Sequence, residues 1–487
     1  MHSSTRLPDS AGAPARLDVV LVMILLGAAC LRLPGLFDDF WLDEIWSYRI
    51  ARELHGLLDV LVSPTARVDN NNPLYTALLL TMGQDMPWWV YRLPAFFAGV
   101  ASVAVTAAML APCGRRAARV GTLLVGCSYP LVFYSSEARG YALVVLFALL
   151  AFATFLRELE RPSRYGTAVF AAACVLGLLS HLSFVYVYTG MLAASAWHAA
   201  RSRATADAFR DLVRLHAVPI ACTIALYVGF VRHLTIGGAP DQSTAPALAE
   251  AIAALAVAAG SLQANVATCL AVAVALCGTI AWTARRRPEL AVFLVVALVV
   301  APTLVLLRQL VVLELRQAIY PRHFLVLLPF FLIGAASVGV ELPRRPATRR
   351  VASTVLAAFV AVNLWQTARF VEGTRGHYAD AVRYLFDETP GATVAVVSDH
   401  PTRTRFVLEF HARRLAREKR LVVIDEDATS RPPETPMWVI AHGFVAHAPP
   451  GDTCTDPVSG AIFRLDREFG FAGLSGYSWY VYRRADG

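Results

Sequence analysis

Residues 17–48 read LDVVLVMILLGAACLRLPGLFDDFWLDEIWSY. Residues 17–36 form an apolar run of the length that one membrane-crossing helix needs, about 20 residues at 1.5 Å each. The chain then meets Asp38, Asp39, Asp43 and Glu44, four carboxylates within seven positions, interleaved with Phe37, Phe40, Trp41 and Trp46. Tryptophan and tyrosine favour the membrane–water boundary because the ring is apolar and its N–H or O–H stays wet. A carboxylate held at that depth is partly desolvated and becomes a better proton acceptor. The pattern predicts a reaction site at the exit of a membrane helix, reached by a substrate that arrives from the bilayer.

The remainder of the chain agrees with a membrane setting. Of 487 residues, 56% are hydrophobic and 16% charged, whereas a soluble domain carries about 25% charge. The formal charge of +8 does not point to nucleic acid, because the basic residues form short clusters between apolar runs. Lys419 is the one lysine. Seven of the eight cysteines lie in or beside apolar runs, and Cys454 stands alone near the end; no spacing suggests a metal site. The first run lacks a small-residue cleavage site after it and reads as a retained helix.

We read about eleven spans, near 17–36, 91–112, 120–136, 139–157, 165–181, 183–200, 215–232, 263–283, 289–308, 323–342 and 351–367. The clusters around Arg115, Arg157, Arg201, Arg285 and Arg344 then share one side with Arg6 and Arg16. That side is expected to be cytoplasmic, in a bacterial plasma membrane. Residues 73–83 (PLYTALLLTMG) are too short to span, and counting them as a span would put the arginine clusters outside. They read as a helix at the outer boundary. The first outer loop, about 37–90, holds the acidic cluster, Asp69 and Asn72. Other outer loops lie at 136–139, around His181, at 233–262 and at 308–322.

The expected domains are a cytoplasmic tail (1–16), a transmembrane module (17–367) and an extracytoplasmic α/β domain (368–487). In the last, Tyr378–Glu388 reads as an amphipathic helix. Thr393–Ser398, Leu421–Ile424 and Trp438–Ala441 read as buried strands, with a helix at 401–417 between the first two. Phe463–Leu465 and Tyr480–Tyr482 read as closing strands. Gly476–Tyr480 fits acceptor binding and plain core equally well.

Trp41-Leu42-Asp43-Glu44, just past the first span, resembles the first outer loop of the GT-C class membrane glycosyltransferases, the group related to dolichyl-phosphate-mannose protein mannosyltransferases and the lipid A aminoarabinose transferase. Asn72-Pro73-Leu74-Tyr75 resembles that family's Pro-Leu-Tyr segment, and Tyr91-Arg92-Leu93-Pro94 its Arg-Leu-Pro element. Glu137, Arg139 and Tyr141 match its Glu-x-Arg-x-Tyr turn, and Tyr320-Pro321-Arg322-His323 its late Arg-Tyr helix start. The marks occur in the family's order over about 17–340. The resemblance implies an inverting transferase that moves a sugar from a polyprenyl-phosphate donor to a lipid, glycan or protein acceptor hydroxyl, with Asp43 as catalytic base and Glu44 beside it. The chain departs from the family at Asn71 and Asn72, where a His or a Lys-containing segment is common, and at His323, where Tyr is.

Such chemistry needs a base, cations for the leaving phosphate and exclusion of water. Asp43 suits the first role; its alternative is to cap the helix that follows. Arg139 and Arg322 suit the second, since a guanidinium bonds two phosphate oxygens at once; an ion pair with Glu137 and snorkelling at the boundary are their alternatives. His323 could also donate to phosphate. Asp69, Asn72, Tyr75, Glu137 and His181 are further outer-side candidates for substrate contact. Asp38 and Asp39 read as solvated carboxylates, Tyr134 and Tyr141 as interfacial anchors, and Arg92 as the partner of a loop carboxylate. Asp43, Glu44, Asp69 and a His could hold Mg²⁺ or Mn²⁺, although arginines can meet a monophosphate alone, so no metal is obligatory. The alternative function is a transporter or flippase of lipid-linked sugars, which would place its ionisable groups at the midplane and show repeated halves.

Overall fold

A computed structural model describes residues 18–68, 70–83, 85–202, 205–235, 244–257, 266–308, 319–341, 345–415, 419–425, 435–443, 451–456 and 458–485. Every segment read as a span contains helix. Among the described residues, seven helices are long and apolar enough to cross a membrane by length and composition: those beginning at Val19, Trp88, Tyr141, Ala206, Val266, Pro288 and Pro346. Arg164–Ser180 and Leu325–Glu341 are apolar but shorter. Leu270, Val274, Leu304 and Val355 project outward from these helices. A polytopic helical bundle with apolar side chains on its outside is a membrane protein, since lipid removes the need to bury them.

Local chemistry shapes the bundle. The segment read as one span at 120–136 is two helices, Arg115–Cys127 and Tyr129–Tyr134. Pro130 lacks the N–H that would continue the ladder to the Gly126 carbonyl, which instead accepts from Arg32 Nη1 at 2.8 Å. The freed Tyr129 N–H donates to Asn363 Oδ1 at 2.6 Å, on the helix Pro346–Gly373. Pro73–Met82 is a ten-residue helix, as its length required. Pro73 opens it without losing a bond, and Gly83, at φ +77°, ends it in a conformation that disfavours side chains. Two expectations need correction. The 233–262 loop contains a helix, Thr244–Val257, and the last apolar helix runs on to Gly373, past the position read as its end.

The C-terminal domain is a six-stranded sheet: β1 (Thr393–Ser398), β2 (Arg420–Asp425), β3 (Trp438–Gly443), β4 (Thr453–Thr455), β5 (Ile462–Phe469) and β6 (Ser478–Arg484). The order is β2-β1-β3-β6-β5-β4. The first three strands are parallel, with Pro401–Ala412 as the crossover helix, and the rest antiparallel. β4 is a strand the sequence did not suggest.

What positions the site is the way this domain docks. One apolar cluster runs from Phe40, Trp41, Ile45 and Tyr48 of the first loop through Tyr75 and Tyr91 to Tyr378, Val396, Trp438 and Trp479. Phe40 stacks on Phe410 with ring centroids 5.6 Å apart, and His411 Nε2 donates to the Phe40 carbonyl at 3.0 Å. Asp38 and Asp39, expected to be solvated, belong to this docking. Asp38 pairs with buried Arg375 at 2.9 Å. Asp39 accepts the Ala379 N–H at 2.8 Å, at the start of the helix Tyr378–Glu388. Burial raises both carboxyls above their ordinary range, and Arg375 opposes that shift for Asp38.

Candidate active site

The acidic motif opens a helix, Leu42–Glu53. Placing Asp43 and Glu44 in its first turn suits the positive end of the helix dipole, and the two carboxylates then diverge. Glu44 turns inward and is fully buried. It meets Arg92 at 2.8 Å (Nε) and 2.6 Å (Nη2), and accepts the Ala138 N–H at 2.7 Å and the Trp41 N–H at 3.3 Å. Arg92 also donates to the carbonyls of Gly35 (3.2 Å), Leu36 (3.1 Å) and Asp39 (2.7 Å), and to that of Asp38. This one pair joins the end of the first span, the loop helix, the second span and the turn before Tyr141.

Asp43 faces outward. Its Oδ2 lies 3.0 Å from Arg322 Nη1, with 21% and 17% of the two side chains exposed. A ligand can therefore reach both groups. Arg139 Nη1 donates to the Asp43 carbonyl at 3.1 Å and to Ser47 Oγ at 2.9 Å, and Nη2 to Asn71 Oδ1 at 3.4 Å. Arg322 is stacked over Tyr320 at 4.3 Å and near Trp41 at 5.8 Å. Asp43, Arg139 and Arg322 thus converge from three distant parts of the chain.

A shell of buried polar atoms surrounds them. Among the described residues neither oxygen of Glu137 makes a hydrogen bond to protein, and the cation in reach of it is Arg375, at 3.7 Å, rather than Arg139. Both side-chain polar atoms of Asn72, Arg139 Nε and His181 Nε2 likewise have no partner among the described residues. His181 Nδ1 is taken by Ser183, 2.8 Å from its hydroxyl. The His181 ring lies within electrostatic reach of His323, Arg139 and Arg322. His323 Nδ1 accepts the Tyr320 N–H at 3.5 Å. Gly140 lets these parts meet: a Cβ there would stand 1.8 Å from the Ser180 carbonyl and 3.0 Å from the Asn72 side chain.

Some candidates fall elsewhere. Tyr75 is fully buried and its hydroxyl donates to the Tyr91 carbonyl at 2.7 Å, so it is a packing residue of the docking cluster. Tyr134 and Tyr141, expected as interfacial anchors, are buried beneath the site, 5.1 Å apart. Asp69 lies outside the described residues. Of the oxygen-rich set that could hold a divalent metal, Asp43 and Glu44 each already face an arginine. Three contributors escaped the sequence reading: Ser47, Asn71 as a partner of Arg139, and Arg375, which is buried with Asp38, Glu137 and Ser136 around it.

Burial pushes Glu137 up to about 7, with Arg375 opposing and Glu44 and Asp43 adding to the rise. Its protonated form is the one the fold favours. Stability from this group is present below the ordinary glutamate range and lost as pH rises through about 7. Glu137→Gln mimics the protonated form. It is expected to match the wild-type melting midpoint near pH 5 and to exceed it above pH 8; thermal melts at the two pH values check this.

No family description matches the chain in sequence, and no curated protein does. Solved structures do match its fold. ArnT from Cupriavidus metallidurans in the apo state aligns with TM-score 0.51 at 13% identity, over 87% of this chain and 92% of that one. The same protein bound to undecaprenyl phosphate gives TM-score 0.40 at 14% identity over 87% and 92%. The archaeal oligosaccharyltransferase AglB from Archaeoglobus fulgidus, in complex with an inhibitory peptide and a dolichol-phosphate, gives 0.45 at 12% identity over 87% and 69%. The likeness to apo ArnT shows that this chain shares that protein's fold.

Proposed function

We propose that this chain is an inverting glycosyltransferase that moves a sugar from a polyprenyl-phosphate donor to an acceptor hydroxyl at the outer face of a bacterial plasma membrane. The observation that carries this is the ion pair of one partly exposed carboxylate, Asp43, with Arg322, beside Arg139, which donates to the Asp43 main-chain carbonyl. The neighbouring acids Asp38, Asp39 and Glu44 are all engaged in holding the loop. In this reading Asp43 takes the acceptor's hydroxyl proton as that oxygen attacks C1 of the sugar. The bond from C1 to the phosphate oxygen breaks, and Arg322 and Arg139 take up the charge left on the phosphate. One displacement at C1 inverts its configuration.

The Asp43–Arg322 pair gives the order of events. A phosphate offers Arg322 two oxygens with more charge than one carboxylate. Donor binding would draw the guanidinium away and free Asp43 to act as base only once the sugar is in place. The lipid tail would lie against the apolar flanks of the bundle. The positive-inside pattern puts the sheet domain and the acidic loop outside and the N-terminus in the cytoplasm. The acceptor is a lipid, a glycan or a protein. Two arginines suffice for a monophosphate leaving group, so a divalent metal is not obligatory.

Binding of undecaprenyl phosphate to the purified protein tests the phosphate role. Arg322→Gln is expected to weaken it by roughly tenfold or more, since a charge-assisted hydrogen bond contributes about 1.5–3 kcal/mol. Arg322→Lys should keep part of it as a point charge. Unchanged binding in Arg322→Gln would overturn the assignment. So would vesicles in which a polyprenyl-phosphate sugar crosses the bilayer without being consumed.

A further inference from the structure

On the far side of the loop helix from Asp43 lies a second concentration of charge. Arg52, nine positions beyond Asp43, is turned roughly 180° away at about 100° per residue. Arg49 and Arg52 of this helix line a groove of about 390 Å³ together with Arg413 and Arg414, which follow the helix Pro401–Ala412 of the sheet domain. The groove therefore runs along the seam between the first loop and the C-terminal domain.

Three of these four arginines are held by rings instead of carboxylates. Arg49 stands 4.0 Å over Phe406, Arg52 5.6 Å over Tyr48, and Arg414 5.4 Å over Phe410. Glu53, Asp85 and Glu409 also line the groove. Even so, among the described residues no carboxylate comes within ion-pair distance of Arg49, Arg52 or Arg413. By contrast Arg92, Arg322 and Arg375, around the reaction site, are all paired. Ring stacking orients a guanidinium while leaving its N–H edge available to an anion.

The depth of the groove identifies the anion. Arg414 donates to the Met86 carbonyl at 3.2 Å and sits 4.9 Å over Trp88, the first residue of a membrane-crossing helix. Met86 and Trp89 are exposed beside it, and the chain just past Glu53 exposes Leu57, Leu58 and Val62. Exposed apolar side chains next to interfacial tryptophans mark the level of lipid head groups. A soluble anion would not need that apolar margin. We propose that this groove binds the phosphate head group of an anionic membrane lipid, and that the bound lipid ties the loop helix to the sheet domain. Guanidiniums from both elements would share one phosphate, so the lipid closes the seam behind the reaction site.

The full-length chain in phosphatidylcholine nanodiscs, with or without phosphatidylglycerol, tests this. Native mass spectrometry reads which lipid is retained, and thermal melting reads the tie. Phosphatidylglycerol is expected to be retained at least tenfold over phosphatidylcholine and to raise the melting midpoint. The double variant Arg52→Gln/Arg413→Gln changes two exposed side chains. It should lose that preference by roughly tenfold and lose the stabilisation, yet melt like the wild type in pure phosphatidylcholine. The corresponding Lys variant should keep part of the preference. Equal retention of the two lipids by the wild type, or undiminished phosphatidylglycerol binding in the Gln variant, overturns the proposal. Inorganic phosphate that stabilises the protein in phosphatidylcholine as well as phosphatidylglycerol does would assign the groove to a soluble anion and overturn it equally.

Discussion

Asp43→Asn is expected to lower sugar transfer by about 10²–10⁴-fold, the usual cost of losing a positioned base, while the protein folds and inserts as before. The substitution keeps the side chain's shape and leaves an amide oxygen facing Arg322, but it removes the site that accepts the proton. Asp43 is partly exposed and its partner Arg322 is too, so the variant leaves no buried charge stranded. Purified wild type and variant, supplied with the same polyprenyl-phosphate sugar and membrane acceptor, give the comparison, and a thermal melt checks the fold. Near-normal transfer by Asp43→Asn would show that the base is another group. Glu137, a carboxyl of the site with no hydrogen-bond partner among the described residues, would then be the one to substitute next.

The place of Asp43 beside the end of the first apolar helix was legible because the apolar run ends at Leu36 and the acids follow at once. The turn at 137–141 and the late arginine at 322 were legible for the same reason, since each adjoins the end of an apolar run. Glu44 was only half legible. Sequence put it beside Asp43 but could not say that the helix turns the two carboxylates to opposite surroundings. Asp38 was misread because its burial depends on Arg375, 337 positions away, and no local pattern announces such a partner. The sheet shows the same division. β1 is a continuous apolar run, TVAVVS, and its bounds were read as they stand. β5 reads IFRLDREF, with charges on its exposed positions and an irregularity between Leu465 and Arg467. Only its first residues look like a strand. The helix at 244–257 is apolar but too short to span, and a length-based reading of membrane segments passes over it.

The buried pair Arg92–Glu44 carries the other large effect. Among the described residues Arg92→Leu removes the only ion-pair partner of a fully buried carboxylate, and it leaves the carbonyls of Gly35, Leu36, Asp38 and Asp39 without their common donor. Breaking a buried pair from one side typically costs about 3–5 kcal/mol, because the remaining charge stays desolvated and alone. The expected result is a large drop in melting midpoint and a loop that no longer holds Asp43 against Arg322. Glu44→Gln should cost less, since an amide can still accept from Arg92 and Ala138, but it lowers the charge complement of Arg92. The double change Arg92→Leu/Glu44→Leu should recover only part of the loss. It removes both charges, yet it still strands the Ala138 N–H and the loop carbonyls that the pair satisfied. Activity separates this role from catalysis. In Glu44→Gln, transfer should fall in step with the midpoint and return when the protein is stabilised by cooling. In Asp43→Asn it should fall with the midpoint unchanged. If Glu44→Gln abolished transfer while melting like the wild type, Glu44 would be acting on the substrate and not through the loop. If Arg92→Leu moved the midpoint by less than a degree or two, the loop would be held by the docked domain alone, through Asp38, Asp39 and the Phe40–Phe410 stack.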